Sequence, residues 1–363
     1  MDRFFSIFRK LEDKEWALAV IIAVCFISLT LFLGYYSNLV IPGNPDNSAR
    51  YLLQPSTHLD FMSEWDGPHY ISIAQEGYTN DALTAFFPLY PLLIRLFIYI
   101  LSSPLISALI VSWLCLIGAL FFYIKILKTI SFRKLQDIVL GVLLFLFFPT
   151  GVFLAATYTE SLFAFAALGA LYFSLKNKYL WAGLFAGLAT ATHPNGVFII
   201  PLIMIVLWEA KQKIWQILSS AVIGSLGIIS YIGYLWVSKG KPLAFVGAQK
   251  GNHWLSGNYI TTIMNSVTAI DIVIFILVFA SVIYWWSRKK SFAIYSLLYL
   301  LLPLVGGNFS GYPRYTLMAF PVQFMLFKKF RNSKLGYPLV LLISGVFWAY
   351  FVIHYAAGYT GGS

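Results

Sequence analysis

Charge is scarce in this chain: 11% of its 363 residues are Asp, Glu, Lys or Arg, against 60% that are hydrophobic. That balance points to a polytopic membrane protein rather than a water-soluble domain. Cysteine is scarcer still. Cys25 and Cys115 both sit within apolar runs, which excludes a disulfide framework and a zinc-binding spacing and reads as two small buried hydrophobes. There is no Walker loop, no Rossmann glycine pattern and no His-Glu-x-x-His pair, so nucleotide hydrolysis and zinc proteolysis find no support. No sizeable polar stretch could form a soluble domain for a nucleotide-sugar donor, and no internal repeat or low-complexity tract is evident. The ten-residue alternation of an outer-membrane barrel is also missing.

What the chain has instead is a succession of apolar runs near bilayer-crossing length, from Trp16 to Tyr355. The expected fold is all-α: one integral-membrane domain over residues 1–363, a transmembrane helix bundle of about 11 spans. These fall near 16–36, 104–124, 137–155, 160–176, 179–192, 196–209, 215–237, 267–286, 291–305, 314–327 and 336–356. The first run exceeds a signal-peptide core and no small-residue cleavage site follows it, so it is expected to be retained. Asp2 to Glu15 reads as a short interfacial helix.

The net charge of +11 lies in short clusters between apolar runs, which argues against a nucleic-acid partner. With those clusters placed in the cytoplasm, only Arg50, Arg95, Lys239, Lys241, Lys250 and Arg314 of the 25 basic residues remain outside. The N-terminus is then inside and the C-terminus outside. Segment 86–100 is expected as an interfacial or half-buried helix closing the first outer loop, residues 37–103. Segments 179–192 and 196–209 are short for full crossings. They read as a hairpin whose tip, Thr192-His193-Pro194-Asn195-Gly196, points outward.

This topology gathers Asp46, Asp60, Glu64, Asp66, Glu76 and Asp81 in one outer loop and sets Glu160 at the next outer turn. His193, Asn195, Lys250, His253 and the stretch Asn308 to Tyr315, with Arg314, face the same side. Sugar transfer from a lipid phosphate to an alcohol needs a carboxylate base, cationic groups for the leaving phosphate and a greasy groove. Asp66 is the candidate base. Arg314 or Lys250 could hold the phosphate. Trp65, Tyr70, Phe86, Phe87 and Tyr90 could stack on sugar or lipid, or could simply form an interfacial aromatic belt.

Glu64-Trp65-Asp66-Gly67-Pro68-His69-Tyr70, Ile73-Ala74-Gln75-Glu76-Gly77-Tyr78 and Ala85-Phe86-Phe87-Pro88-Leu89-Tyr90-Pro91-Leu92-Leu93 together resemble the signature of the PIG-V family of mannosyltransferases. That family belongs to the C-type (GT-C) integral-membrane glycosyltransferases. Tyr158-Thr159-Glu160-Ser161-Leu162, Thr192 to Gly196 and Pro313-Arg314-Tyr315 are similar to further family landmarks, in the expected order. The resemblance implies a polyprenyl-phosphate-linked mannose donor, a lipid or glycan acceptor and Asp66 as catalytic base. It also implies an active site on the extracytoplasmic face of the cytoplasmic membrane. The length is similar to compact prokaryotic homologues. His193 stands where family members often carry arginine.

Plainer roles stand beside these. Asp66 could cap the helix that begins near His69. His69 could orient Asp66, touch phosphate or be solvated, and Glu64 reads as a solvated loop charge. Glu160 could bind the acceptor or Arg314, or could favour its helix's N-terminal dipole. His193 and Asn195 could satisfy backbone at the tip. No cofactor is expected, and direct displacement from a lipid phosphate requires no metal. The competing classes are a polyprenyl-linked sugar transporter or flippase, and a non-catalytic subunit of a glycosylation complex. Transporters often show paired repeats and broken midplane helices. Here the acids gather in one outer loop, which favours an enzyme.

Overall fold

The computed structural model describes residues 14–44, 58–130, 132, 134–251, 267–306, 309 and 311–359, and every described element is helical. Residues Asp2 to Glu15 of the expected interfacial helix fall almost wholly outside this set, as do Asp46, the side chain of Lys250, His253 and Asn308. Five helices have the length and apolar composition to cross a bilayer: α1 (Glu15–Val40), α4 (Pro104–Thr129), α9 (Ile214–Lys239), α11 (Ala269–Trp286) and α15 (Gly336–Ala356). Between α1 and α4 come α2 (Gly67–Glu76) and α3 (Leu89–Leu101). Shorter helices complete the bundle: α5 (Leu135–Leu146), α6 (Glu160–Leu175), α7 (Tyr179–Thr192), α8 (Ile199–Glu209), α10 (Ala244–Gly251) and α12 (Lys290–Gly306), then α13 (Tyr312–Thr316) and α14 (Phe320–Phe330).

Two expected spans break. The run at 137–155 is helical only to Leu146; beyond Pro149 it continues as a 3-10 turn, Gly151–Leu154. The run at 314–327 divides into α13 and α14 at Leu317–Ala319, because Pro321 enters the first turn of a new helix. The hairpin forms as expected: α7 ends at extended His193, and a 3-10 turn over Pro194–Phe198 leads into α8. α3 is half-buried, turning Tyr90, Pro91 and Ile94 inward and Leu92, Leu96, Tyr99 and Ile100 outward. Cys25 is exposed on α1 rather than buried, because its face of that helix is left uncovered.

Small residues let the central helices approach. A Cβ on Gly227 of α9 would lie 2.1 Å from the Gly187 carbonyl oxygen of α7. Thr190 Oγ1 reinforces the crossing by donating to the Gly224 carbonyl at 2.8 Å.

The helix directions give the bundle two ends. At one, ion pairs join Glu15 to Lys128, Asp137 to Arg331 and Glu209 to Lys289, tying α1 to α4, α5 to α14 and α8 to α12. At the other, the C-terminal ends of α1 and α15 meet where Ser37 Oγ donates to the Ile353 carbonyl and the Asn44 N–H to that of Ala357. This second end also receives the N-termini of α2 and α6, the hairpin tip and α13.

Candidate active site

Residues 62–67 thread between the 157–158 strip and the end of α15. The Thr157 N–H and hydroxyl both donate to the Met62 carbonyl, and the hydroxyl also reaches Ser63 Oγ at 2.8 Å. Glu64 N–H donates to Tyr355 Oη at 3.1 Å; Tyr158 Oη donates to the Glu64 carbonyl at 3.0 Å and accepts the Asp66 N–H at 3.1 Å. Two buried tyrosines thus fix the main chain on both sides of Trp65, whose φ of 56° bends it sharply. Glu64 is fully buried, which corrects the expectation of a solvated charge: the threading encloses its side chain.

Asp66 occupies the N-cap position of α2, yet its side chain makes no capping bond. It is turned instead to Arg314, whose Nη1 donates to Asp66 Oδ2 at 2.7 Å. Arg314 Nε lies 3.3 Å from Glu160 Oε1, a contact with ion-pair distance but without hydrogen-bond alignment. Its Nη2 donates to Tyr315 Oη at 3.2 Å. The guanidinium lies near the faces of Phe153, Tyr158 and Tyr315, at 5.1 to 5.6 Å from their centroids. It is 8% exposed, so two carboxylates and three rings replace the water it has lost.

Local structure places this arginine. Gly311 holds φ at 71°, a turn that favours glycine, and α13 starts directly after it with Pro313 in its first turn. Thr150 Oγ1 donates to the Pro313 carbonyl at 2.9 Å and clamps the short helix onto the turn that ended α5.

His193 joins the cluster from the hairpin tip, with its ring 5.3 Å from that of Tyr315. Its Nδ1 accepts the Asn195 N–H at 3.1 Å, which leaves Nε2 to carry the proton of the neutral ring. Burial, helped by the charge of Arg314, pushes this imidazole down to about 3. A void of about 10 Å³, the size of one water, is bordered by Glu160, His193, Asn195, Arg314 and Tyr315.

Five of the residues singled out in the sequence therefore border one void, and Asp66 is tied to it through Arg314. His69 stands one turn along α2. Its ring packs 5.2 Å from Phe86, and burial lowers its pKa against the opposing pull of Asp66. Tyr70 packs edge-on against Phe86 and Tyr90. Trp65 packs on the core with its buried indole N–H unpaired. Two residues are not brought to the cluster. Tyr90 is fully buried and spends its hydroxyl on Ser112 and the Ala108 carbonyl, while Phe87 packs with Tyr231, Leu235 and Phe245 in a second apolar cluster. Tyr355 and Phe153 went unnoticed in the sequence because each is one aromatic among many in an apolar run.

Residues 51–218 match the family model described as Mannosyltransferase (PIG-V), a stretch that contains Asp66, Glu160 and His193. Over that stretch the chain is similar to the PIG-V mannosyltransferases. It is 34% identical to the GPI alpha-1,6-mannosyltransferase 2 of Cricetulus griseus, over 47% of this chain and 38% of the relative. The human protein of that name is 31% identical over 48% and 39%. The GPI mannosyltransferase 2 of Schizosaccharomyces pombe is 27% identical over 77% of this chain and 71% of the relative. The matched stretch thus spans well under half the length of the mammalian relatives.

Proposed function

We propose that this protein transfers a hexose, mannose, from a polyprenyl-phosphate-linked donor to a hydroxyl of a glycolipid acceptor, at the extracytoplasmic face of the membrane. The observation that carries this reading is the Asp66–Arg314–Glu160 ion-pair cluster, assembled from the starts of α2 and α6 and from α13 at one end of an apolar bundle. The names of the relatives support mannose and a glycolipid; the bias of basic residues toward the opposite end supports the face.

In this mechanism Asp66 is the general base. Arg314 holds Oδ2, and no hydrogen-bond partner takes Oδ1 among the described residues. The acceptor hydroxyl gives its proton to Oδ1 as its oxygen attacks the anomeric carbon, and the bond from that carbon to the phosphate oxygen breaks with its electron pair. Attack from the opposite face turns a β-linked donor into an α-linked product. Arg314 offers the departing phosphate a planar fork, with His193 Nε2 as a neutral donor beside it. The water-sized void cannot admit a sugar. Donor entry therefore requires α13 or the hairpin tip to move, and Arg314 to exchange part of its contact with the carboxylates for the phosphate.

Purified protein in liposomes, given synthetic polyprenyl-phosphate mannose and membrane-extract acceptors, tests this reading with Asp66→Asn as control. Transfer by the wild type that the variant loses is expected. Labelled lipid crossing the bilayer in both proteins, with no new glycoside formed, would replace it with transport.

A further inference from the structure

Two buried polar atoms are left unpaired where α13 packs on α11. Asp271 stands in the first turn of α11, where its Oδ2 accepts from the Thr268 N–H and hydroxyl, while its Oδ1 has no hydrogen-bond partner among the described residues. Tyr312 opens α13, and its hydroxyl is likewise buried and unpaired. Both residues are 1% exposed. The Tyr312 ring packs 6.3 Å from that of Phe275, which stands one turn beyond Asp271 on the same face of α11. Burial raises the pKa of the Tyr312 hydroxyl, and the charge of Asp271 raises it further, so that carboxylate is a near neighbour. A buried polar atom without a partner costs a fold the hydration it has lost. A small approach of α13 to α11 removes both defects at once, with Tyr312 Oη donating to Asp271 Oδ1.

The build of α13 allows that approach. Gly311, at φ 71°, precedes it, and the break at Leu317–Ala319 follows it, so it is a short piece with a joint at each end. Tyr312 and Arg314 are two residues apart, roughly 200° around a helix, and so lie on opposite sides of it. Thr150, bonded to the Pro313 carbonyl between them, is the pivot. A tilt that brings Tyr312 to Asp271 therefore draws Arg314 back from Asp66 and Glu160 and widens the void beside His193. This is the motion that donor entry needs.

We propose, resting on the transferase reading, that Asp271 is a positioning residue for the donor: as the lipid phosphate enters, α13 tilts and Tyr312 Oη bonds Asp271 Oδ1, which offsets the contact that Arg314 gives up and holds the guanidinium where the phosphate meets it. The bond belongs to the donor-bound state only. Asp271 touches neither sugar nor phosphate and acts through Tyr312.

The test measures binding of synthetic polyprenyl-phosphate mannose to the full chain in nanodiscs, beside denaturant unfolding of the protein without that lipid. Tyr312→Phe weakens binding about tenfold, equivalent to about 1.4 kcal/mol, because the binding-competent state is less populated without the bond. The same variant leaves the donor-free protein as stable as the wild type or more so, since the hydroxyl it deletes has no partner there. A tyrosine with a merely structural role would lose stability and affinity together. Asp271→Ala also removes the cap of α11 and costs stability, so it serves in a double variant: in its background, Tyr312→Phe weakens binding no further. Equal affinity in Tyr312→Phe and the wild type, a loss of donor-free stability in Tyr312→Phe, or losses of affinity that multiply in the double variant overturns the proposal. Binding needs no turnover, so a protein that shows the expected pattern yet transfers no sugar counts against the transferase reading alone.

Discussion

Arg314 donates to Asp66 across 2.7 Å although 248 residues separate them, and the same guanidinium lies against Glu160. One buried cation thus joins two carboxylates from the starts of different helices. The cluster carries a formal charge of one negative unit, and removing its middle member leaves two carboxylates facing each other with little water. Arg314→Met is expected to destabilise the fold by about 3 kcal/mol. Combined with Asp66→Asn and Glu160→Gln, the same change should cost far less, because nothing charged is then left unpaired. Unfolding of the single, double and triple variants in detergent by denaturant reads the coupling. An Arg314→Met cost that is identical in both backgrounds would show that the pairing contributes nothing.

Metal chelation gives a second expectation. Arg314 already supplies the positive charge between Asp66 and Glu160, and no group of three His, Cys, Asp or Glu side chains gathers among the described residues. Transfer activity should be unchanged after prolonged dialysis against EDTA. A loss restored by a divalent cation would assign a metal to the phosphate and demote Arg314.

His69 sets a pH dependence. Burial lowers its pKa in the folded protein, and this outweighs the opposite effect of Asp66. The unfolded chain therefore binds the proton first as pH falls. The stability associated with the neutral ring is present above about 6.5 and is lost as pH drops from there toward the folded value. His69→Gln should flatten part of the wild-type decline in melting temperature between pH 7 and pH 5, the remainder coming from His193, whose ring burial holds neutral down to about 3. In Asp66→Asn, which lacks the opposing charge, labelled His69 should titrate at still lower pH. An upward move there would show that Asp66 does not act on the ring.

The sequence revealed the fold class because apolar runs and basic clusters act locally: each run must be helical in lipid, and each cluster marks an end. The hairpin at His193-Pro194 was legible for the same reason, since proline acts on its own turn. The break at Leu317–Ala319 and the early end of α5 were missed, although Pro321 and Pro149 stand beside them, because the runs stay apolar across both prolines; the clamp of Thr150 on α13 adds a packing cause that the sequence does not carry. Asp66, Glu160, His193 and Arg314 stood out because ionisable groups are rare beside such runs. The tyrosines that fix the Asp66 loop did not, since 18% of the chain is aromatic. Glu64 was misread because an acid before Trp-Asp carries no mark of burial; the enclosing residues arrive from Tyr158 and Tyr355.

The last expectation concerns the fit of the Asp66 loop. A Cβ on Gly67 would lie 2.3 Å from Thr157 Oγ1 and 2.7 Å from Ser63 Oγ, in a place where Thr157 already holds Met62 and Ser63. Gly67→Ala must therefore push the 62–67 segment away from Thr157, and Asp66 moves with its neighbour. Misplacing a reacting group by about 1 Å can cost about a hundredfold in rate. The expected result is a fall in kcat of that order, with the protein still folded and Asp66 intact. Thr157→Ala removes the closest atom. Added to Gly67→Ala it should recover part of the lost rate, although Thr157→Ala alone is mildly harmful through the hydrogen bonds it deletes. Recovery in the double variant would show that the loop's position, rather than glycine's backbone freedom, limits the reaction. If the two losses simply multiply, the contact between Gly67 and Thr157 is not what positions Asp66.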